Sequence, residues 1–146
     1  GCGPGYFTIP LAKFTFDGKV YAVDIHPEML DAVREAADDV RLSNVETVLS
    51  KESKVALDKG SIDGALVAFL LSDVAKPAKV LKDLHAILRK GGWLGVVEER
   101  RADDNGADAE ASFSEATVSE LVLAAGFRFT GRYDISASNY LLVFRA

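Results

Sequence analysis

Three groups of residues in this chain have the type and spacing to do chemistry: the glycines of Gly1-Cys2-Gly3-Pro4-Gly5, the carboxylate of Asp24, and the adjacent carboxylates Glu98 and Glu99. Glycine admits positive φ and lets peptide N–H groups come close to a bound molecule. The helix-like segment that begins at Tyr6-Phe7 adds unpaired donors and a partial positive charge behind the turn, so the turn suits an anionic or polar ligand. Asp24 lies nineteen residues beyond Gly5 and closes the apolar run Val20-Tyr21-Ala22-Val23. A carboxylate at such a strand end accepts bonds from two ribose hydroxyls. Together, turn and carboxylate read as a site for an adenosine-type ligand; the lesser alternative for Asp24 is a cap or turn residue ahead of Pro27. Dinucleotide turns carry a third glycine one place beyond Gly5, and Tyr6 stands there, which disfavours a pyrophosphate.

The elements that must hold these groups alternate between helix and strand. Tyr6 to about Phe14 is apolar with few breaks, as expected of a helix buried against a sheet, and the turn Asp17-Gly18-Lys19 ends it. Val20–Val23 is a short strand. Asp24-Ile25-His26-Pro27 then opens a helix in which Met29, Leu30, Val33, Ala36, Ala37 and Val40 recur at helical spacing, opposite Asp31, Arg34, Glu35 and Asp38. Asn44–Leu49 reads as a further strand, followed by Ser50-Lys51-Glu52-Ser53. Ala65–Leu71 is unbroken in its hydrophobicity, which predicts a parallel strand buried on both faces, with its carboxyl end bordering a ligand crevice.

Pro77 begins a helix with Val80, Leu81, Leu84, Ile87 and Leu88 inward, and Gly91-Gly92 stops it. Trp93–Val97 is the next strand, with Glu98 and Glu99 at its carboxyl end. The polar stretch from Glu99 to Ser112 reads as a mobile loop over the substrate side or as a solvated linker. Ser112 and Glu115 form a capping-box pattern for a helix carrying Val118, Leu121, Val122 and Ala125 and stopping at Gly126. Phe127–Tyr133 and Tyr140–Phe144 read as a hairpin, hence an antiparallel edge on a mostly parallel sheet. His26 and His85 read as a cap or solvated turn and as a residue of a wet helix face.

Composition narrows the function. At 146 residues, 49% hydrophobic and 27% charged, the chain fits a single globular domain over residues 1–146. A net charge of -5 provides no basic surplus for a nucleic-acid backbone. The single cysteine, Cys2, rules out an intramolecular disulfide and a multi-cysteine metal site, so no metal is expected and a reducing cytoplasm fits. The apolar run Ala65–Leu71 is far short of the roughly 20 residues that span a bilayer, so no membrane partner is expected.

The segments GCGPG, VYAVDIHPEML, SDVAKPAKVLKDLHAILRKGGWLGVVE and FSEATVSELVLAAGF, in that order, resemble the class I S-adenosylmethionine-dependent methyltransferases. The resemblance implies an α/β, Rossmann-like, doubly wound and mostly parallel sheet with an antiparallel C-terminal hairpin strand. S-adenosyl-L-methionine is the implied cofactor. It further implies that Gly1, Cys2, Gly3 and Gly5 line the cofactor, that Asp24 holds the ribose, that Ile25 and Met29 flank adenine and ribose, and that Ala68 and Phe69 face the aminoacyl and sulfonium end. Pattern alone reads Ile25 and Met29 as ordinary core. Lys51 stands where the family most often has an acidic residue, leaving the adenine contact to Glu52 or a backbone N–H. In the family a central strand runs directly into the first glycine, and here nothing precedes Gly1. The chain is therefore expected to be an N-terminally incomplete piece of a longer protein, since an empty central slot would leave backbone groups unpaired at about 1 to 3 kcal/mol each.

No Asn/Asp-Pro-Pro-aromatic run follows the strong strand, which disfavours methylation of base amines, and the acceptor is expected to be a small molecule or a protein side chain. No side chain announces itself as catalytic; Glu98 and Glu99 are the weak candidates for polarising an acceptor. A catalytically silent module that binds the donor or its product is the competing reading. A nicotinamide-dependent oxidoreductase is the less favoured third.

Overall fold

A computed structural model describes residues 1–52, 54–100 and 113–146. The expectations for the loop from Arg101 to Ser112, and for Ser112 as a helix cap, fall outside them. The chain divides into two compact units, Gly1–Ala56 and Leu57–Ala146.

In the first unit, α1 (Thr8–Phe14), β1 (Val20–Asp24), α2 (Pro27–Asp39) and β2 (Val45–Leu49) follow one another, and β1 pairs with β2 in parallel from Val20↔Val45 to Asp24↔Leu49. The α2 stripe Leu30, Val33 and Ala37 is buried, as its spacing predicts. Two expectations need correcting. The helix starts at Thr8 instead of Tyr6 and buries only Thr8 and Ala12, while Tyr6, Phe14 and Phe16 are exposed. Val40 is exposed too, because α2 ends at Asp39 and Val40 has left helical geometry. Asn44 precedes β2 and donates from Nδ2 to the carbonyls of Ala12 (2.9 Å) and Thr15 (2.7 Å), capping the C-terminus of α1.

The second unit contains β3 (Ile62–Ala68), α3 (Pro77–Ile87), β4 (Leu88–Glu99), α4 (Glu115–Ala124), β5 (Arg128–Asp134) and β6 (Asn139–Arg145). Its strand order is β3-β4-β6-β5, with β3 and β4 parallel and β6 antiparallel to both β4 and β5. The hairpin therefore inserts its second strand beside β4 and leaves the first at the edge. Leu94, Val96, Val118, Val122, Leu142 and Phe144 form the core of this unit.

The apolar run expected to continue as strand through Leu71 stops at Ala68, because Phe69 turns into left-handed backbone (φ 52°). Within β3 only Val67 is fully buried, although burial on both faces was expected; among the described residues β3 pairs with β4 alone. Likewise β1 pairs with β2 alone, so each unit carries a strand with one edge lacking a strand partner, and the strand expected ahead of Gly1 has no counterpart among the described residues. Helix α3 gives way to strand at Leu88, before the glycines that were expected to stop it; Gly91 (φ 76°) and Gly92 instead lie in an irregular stretch between the Ile62↔Leu88 and Gly64↔Trp93 pairings.

Candidate functional site

In the first unit the opening turn takes the conformation its glycines allow: Gly3 and Gly5 have φ of 54° and 98°. The two glycines do different work. A Cβ on Gly5 would lie 3.3 Å from Val33 Cγ2, so its absence lets α2 pack against the turn, whereas a Cβ on Gly3 would meet nothing within 4 Å. Gly3 thus offers open backbone at a left-handed position. The Cys2 N–H donates to the Val23 carbonyl at 2.9 Å, tying the turn to the end of β1. Burial pushes the Cys2 thiol above its ordinary pKa and the negative Asp24 pushes the same way, so the sulfur is a thiol at neutral pH and no activated nucleophile.

Asp24, buried at the end of β1, faces this turn. Its Oδ2 accepts the Gly3 N–H at 2.9 Å, and its Oδ1 accepts the N–H groups of Ile25 (2.8 Å) and His26 (3.0 Å). Burial pulls the carboxyl upward, but the His26, Gly3 and Ile25 amides pull it down, and the pKa lies below the ordinary value. A carboxylate has about four lone-pair positions, so three amides leave roughly one, on Oδ2, for a further donor. The turn-residue reading of Asp24 is therefore realised, and the carboxylate also looks toward the glycines. Sequence reasoning missed this amide clamp, although an Asp two residues ahead of the residue before proline carries its signal, since Asp side chains accept backbone N–H groups one and two residues on.

Around this clamp Ile25 is 44% exposed, which removes the core reading for it, and Met29 is half-buried on α2. Glu52 is exposed, in a tight turn closed by reciprocal backbone bonds between Lys51 and Lys54. His26 is exposed, within 3.7 Å of Glu28, at the start of α2.

In the second unit Ala68 ends β3 half-buried, and the Phe69 ring is 44% exposed. Glu98 and Glu99, on successive positions of β4, point to opposite faces: Glu99 is exposed, and Glu98 is 6% exposed with Oε1 accepting the Leu71 N–H at 3.1 Å. Burial raises the Glu98 pKa, the Leu71 and Leu70 amides partly offset that, and Asp73 adds to the rise. Across the sheet from Glu98 is Tyr140, whose buried hydroxyl has no hydrogen-bond partner among the described residues. Burial first, and then the charges of Glu98 and Glu115, push Tyr140 up to about 12. His85 stacks edge-on against Phe127, with ring centroids 4.8 Å apart, as a packing residue. Among the described residues no group of three or more His, Cys, Asp or Glu could hold a metal ion, and no helix is long and apolar enough to cross a membrane.

An α/β frame in which a left-handed glycine turn is clamped by a buried strand-end carboxylate is of the Rossmann-like class. Within that class the chain belongs to the methyltransferase-domain family, whose model matches residues 1–96. It is 31% identical over 146 residues to an uncharacterised methyltransferase of Mycobacterium bovis, covering 97% of this chain and 57% of that protein. Demethylmenaquinone methyltransferase of Oceanobacillus iheyensis is 26% identical over 98 residues, covering 66% of this chain and 41% of that one. The chain thus spans about half the length of the curated relatives it matches.

Among solved structures, a SAM-dependent methyltransferase from Aquifex aeolicus superposes with a TM-score of 0.90 at 26% identity, covering 99% of this chain and 78% of that one. The [4+2]-cyclase SpnF shares the fold at a TM-score of 0.88 and 15% identity, covering 99% and 72%. These likenesses give an α/β fold with a mixed sheet.

Proposed function

We propose that this chain is the donor-binding domain of an S-adenosylmethionine-dependent methyltransferase. The observation that carries the reading is the Asp24 clamp: a buried carboxylate, kept ionised, bonded to the amide of a left-handed glycine whose outer side is open. Gly1, Cys2, Gly3 and Gly5 present backbone to the ligand, and Asp24 accepts a ribose hydroxyl at the remaining Oδ2 position. Ile25 and Met29 supply apolar surface for adenine and ribose, with Glu52 or its loop backbone as the adenine partner. Ala68 and Phe69 serve the aminoacyl end. When bound, S-adenosylmethionine supplies a methyl group already activated on a sulfonium. The chain's own residues then need only bind, orient and exclude water.

Neither Glu98 nor Glu99 has the standing of a general base in this reading, since Glu98 is taken up by the Leu71 amide and Glu99 faces outward. The family match runs from residue 1 to 96, across the boundary between the two units, which supports one methyltransferase domain over 1–146. Similarity to demethylmenaquinone methyltransferase supports a small-molecule acceptor over a protein side chain. The single, half-buried Cys2 supports a cytoplasmic setting.

Titration calorimetry with S-adenosylhomocysteine and with NAD tests the reading. Binding of the thioether, abolished by Asp24→Ala, is the expected result; binding of NAD with no response to the thioether sinks it. A second reading is a silent binding module, favoured by the occurrence of this fold in a [4+2]-cyclase, which makes the fold alone no warrant for methyl transfer. Thioether binding without turnover of labelled donor across quinone, phenol and amine acceptors would select it.

A further inference from the structure

The turn that follows β3 is built under strain and bolted down at one place. Phe69 is a bulky residue in left-handed backbone (φ 52°), a conformation such a side chain adopts only when its surroundings force it. The forcing contacts come from consecutive residues at the end of β4. The Val97 carbonyl accepts the Phe69 N–H at 2.9 Å, and the Glu98 carboxyl accepts the Leu71 N–H at 3.1 Å, with the Leu70 amide also directed at it. Leu71 is fully buried, so its amide has no water to fall back on, and the turn closes with the Asp73 N–H on the Leu70 carbonyl at 3.0 Å. The outcome is an aromatic ring held 44% exposed immediately past the carboxyl end of β3, where Ala68 stops the strand.

A buried carboxyl costs free energy unless its hydrogen bonds are needed, and strained backbone marks a place where surroundings over-determine a side chain. From these contacts we infer that Glu98 is a positioning residue for cofactor binding: it fixes the Leu70–Leu71 backbone and so holds Phe69 in the left-handed conformation that presents its ring to the donor. The inference rests on the reading that Phe69 touches the cofactor, and it gives Glu98 a task other than polarising an acceptor. Glu98 acts through the turn and touches neither donor nor acceptor.

A double-mutant cycle on the chain tests this, read by S-adenosylhomocysteine affinity, with thermal unfolding and amide exchange alongside. Glu98→Leu removes the acceptor for the buried amides and is expected to weaken binding about tenfold and to speed exchange at Leu70 and Leu71. Glu98→Gln keeps a carbonyl oxygen for the Leu71 N–H and is expected to restore most of the affinity. Phe69→Gly deletes the ring and relieves the positive φ; in that background Glu98→Leu is expected to cost less than twofold.

Undiminished loss in the Phe69→Gly background would overturn the inference, as would equal affinities of wild type and Glu98→Leu. Should Glu98→Leu not fold, the Gln variant and wild-type exchange decide: rapid exchange at Leu71 in wild type, or Gln behaving as badly as a Phe69 deletion, defeats the assignment. Failure of wild type to bind the thioether at all would strike the donor-binding reading itself, and this inference with it. Binding by wild type together with indifference to Glu98→Leu would strike the inference alone.

Discussion

Asp24 is the residue on which the candidate site turns, because one side chain closes two structures at once. Its Oδ1 collects the amides that open α2, and its Oδ2 fastens the glycine turn through Gly3. Asp24→Asn separates these roles: the amide keeps one oxygen acceptor and replaces the other with a donor, which must turn away from either Gly3 or the α2 amides. Calorimetry should show thioether affinity falling at least tenfold, since hydrogen bonds to a charged group are worth about 1.5 to 3 kcal/mol each. The same carboxylate sets an acid limb. With its folded pKa below the unfolded value of 3.8, Asp24 adds stability that is fully present above that value and is lost as pH falls through the folded pKa. Glu98 runs the other way: its folded pKa lies above 4.5, so its ionisation penalty is absent in acid and grows as pH rises through the folded value. Urea midpoints measured below pH 4 should therefore drop less steeply in Asp24→Asn than in wild type. At Gly5 the constraint is steric as well as conformational, and Gly5→Ala should lose about 1 to 3 kcal/mol in denaturant titration from a left-handed alanine pressed against Val33.

At the scale of elements, periodic and alternating patterns located the strands, the helix α2 stripe and the closing hairpin, because burial of an apolar face has a repeat that can be read directly. What the pattern could not carry was local chemistry. The run from Ala65 to Leu71 is uniformly apolar, yet Leu71 is buried through a turn and Phe69 breaks the strand, since the hydrogen bonds that bend it come from Val97 and Glu98, some thirty residues later in the chain. At the start of α4 the Ser114 hydroxyl accepts the Thr117 N–H at 3.1 Å, and Glu115 accepts from Arg132 at 2.6 Å, a partner seventeen residues on that a local pattern does not reveal. Ser114→Ala should accordingly cost about 1 kcal/mol in chemical denaturation. In β3 the need for glycine is purely one of space, because a Cβ on Gly64 would lie 1.9 Å from Trp93 Cε2. Gly64→Ala must displace the Trp93 ring, so its near-ultraviolet dichroism should weaken along with stability, and Trp93→Leu should largely relieve the effect.

For the whole molecule, the decisive question is whether the two units behave as one thermodynamic body. The family model crosses the boundary at Ala56, running from residue 1 to 96, and a single domain of 146 residues is expected to unfold in one cooperative step. Under that reading a ligand held by the Asp24 clamp stabilises everything that unfolds with it, by RT ln(1 + [L]/Kd), which is about 2.7 kcal/mol at a hundredfold excess over Kd. For a chain of this size that corresponds to a rise of roughly 5 to 10 °C in Tm. Calorimetric and van't Hoff enthalpies should then agree, and tryptophan emission, which reports Trp93 in the second unit, should shift its midpoint with the thioether by the same amount as far-ultraviolet dichroism does. A ligand-dependent midpoint for global dichroism combined with a fixed midpoint for Trp93 would mean that the clamp and the β3–β4 sheet unfold independently. The first unit would then be a self-sufficient nucleoside-binding module, and the single-domain reading would fall while the role of Asp24 stood.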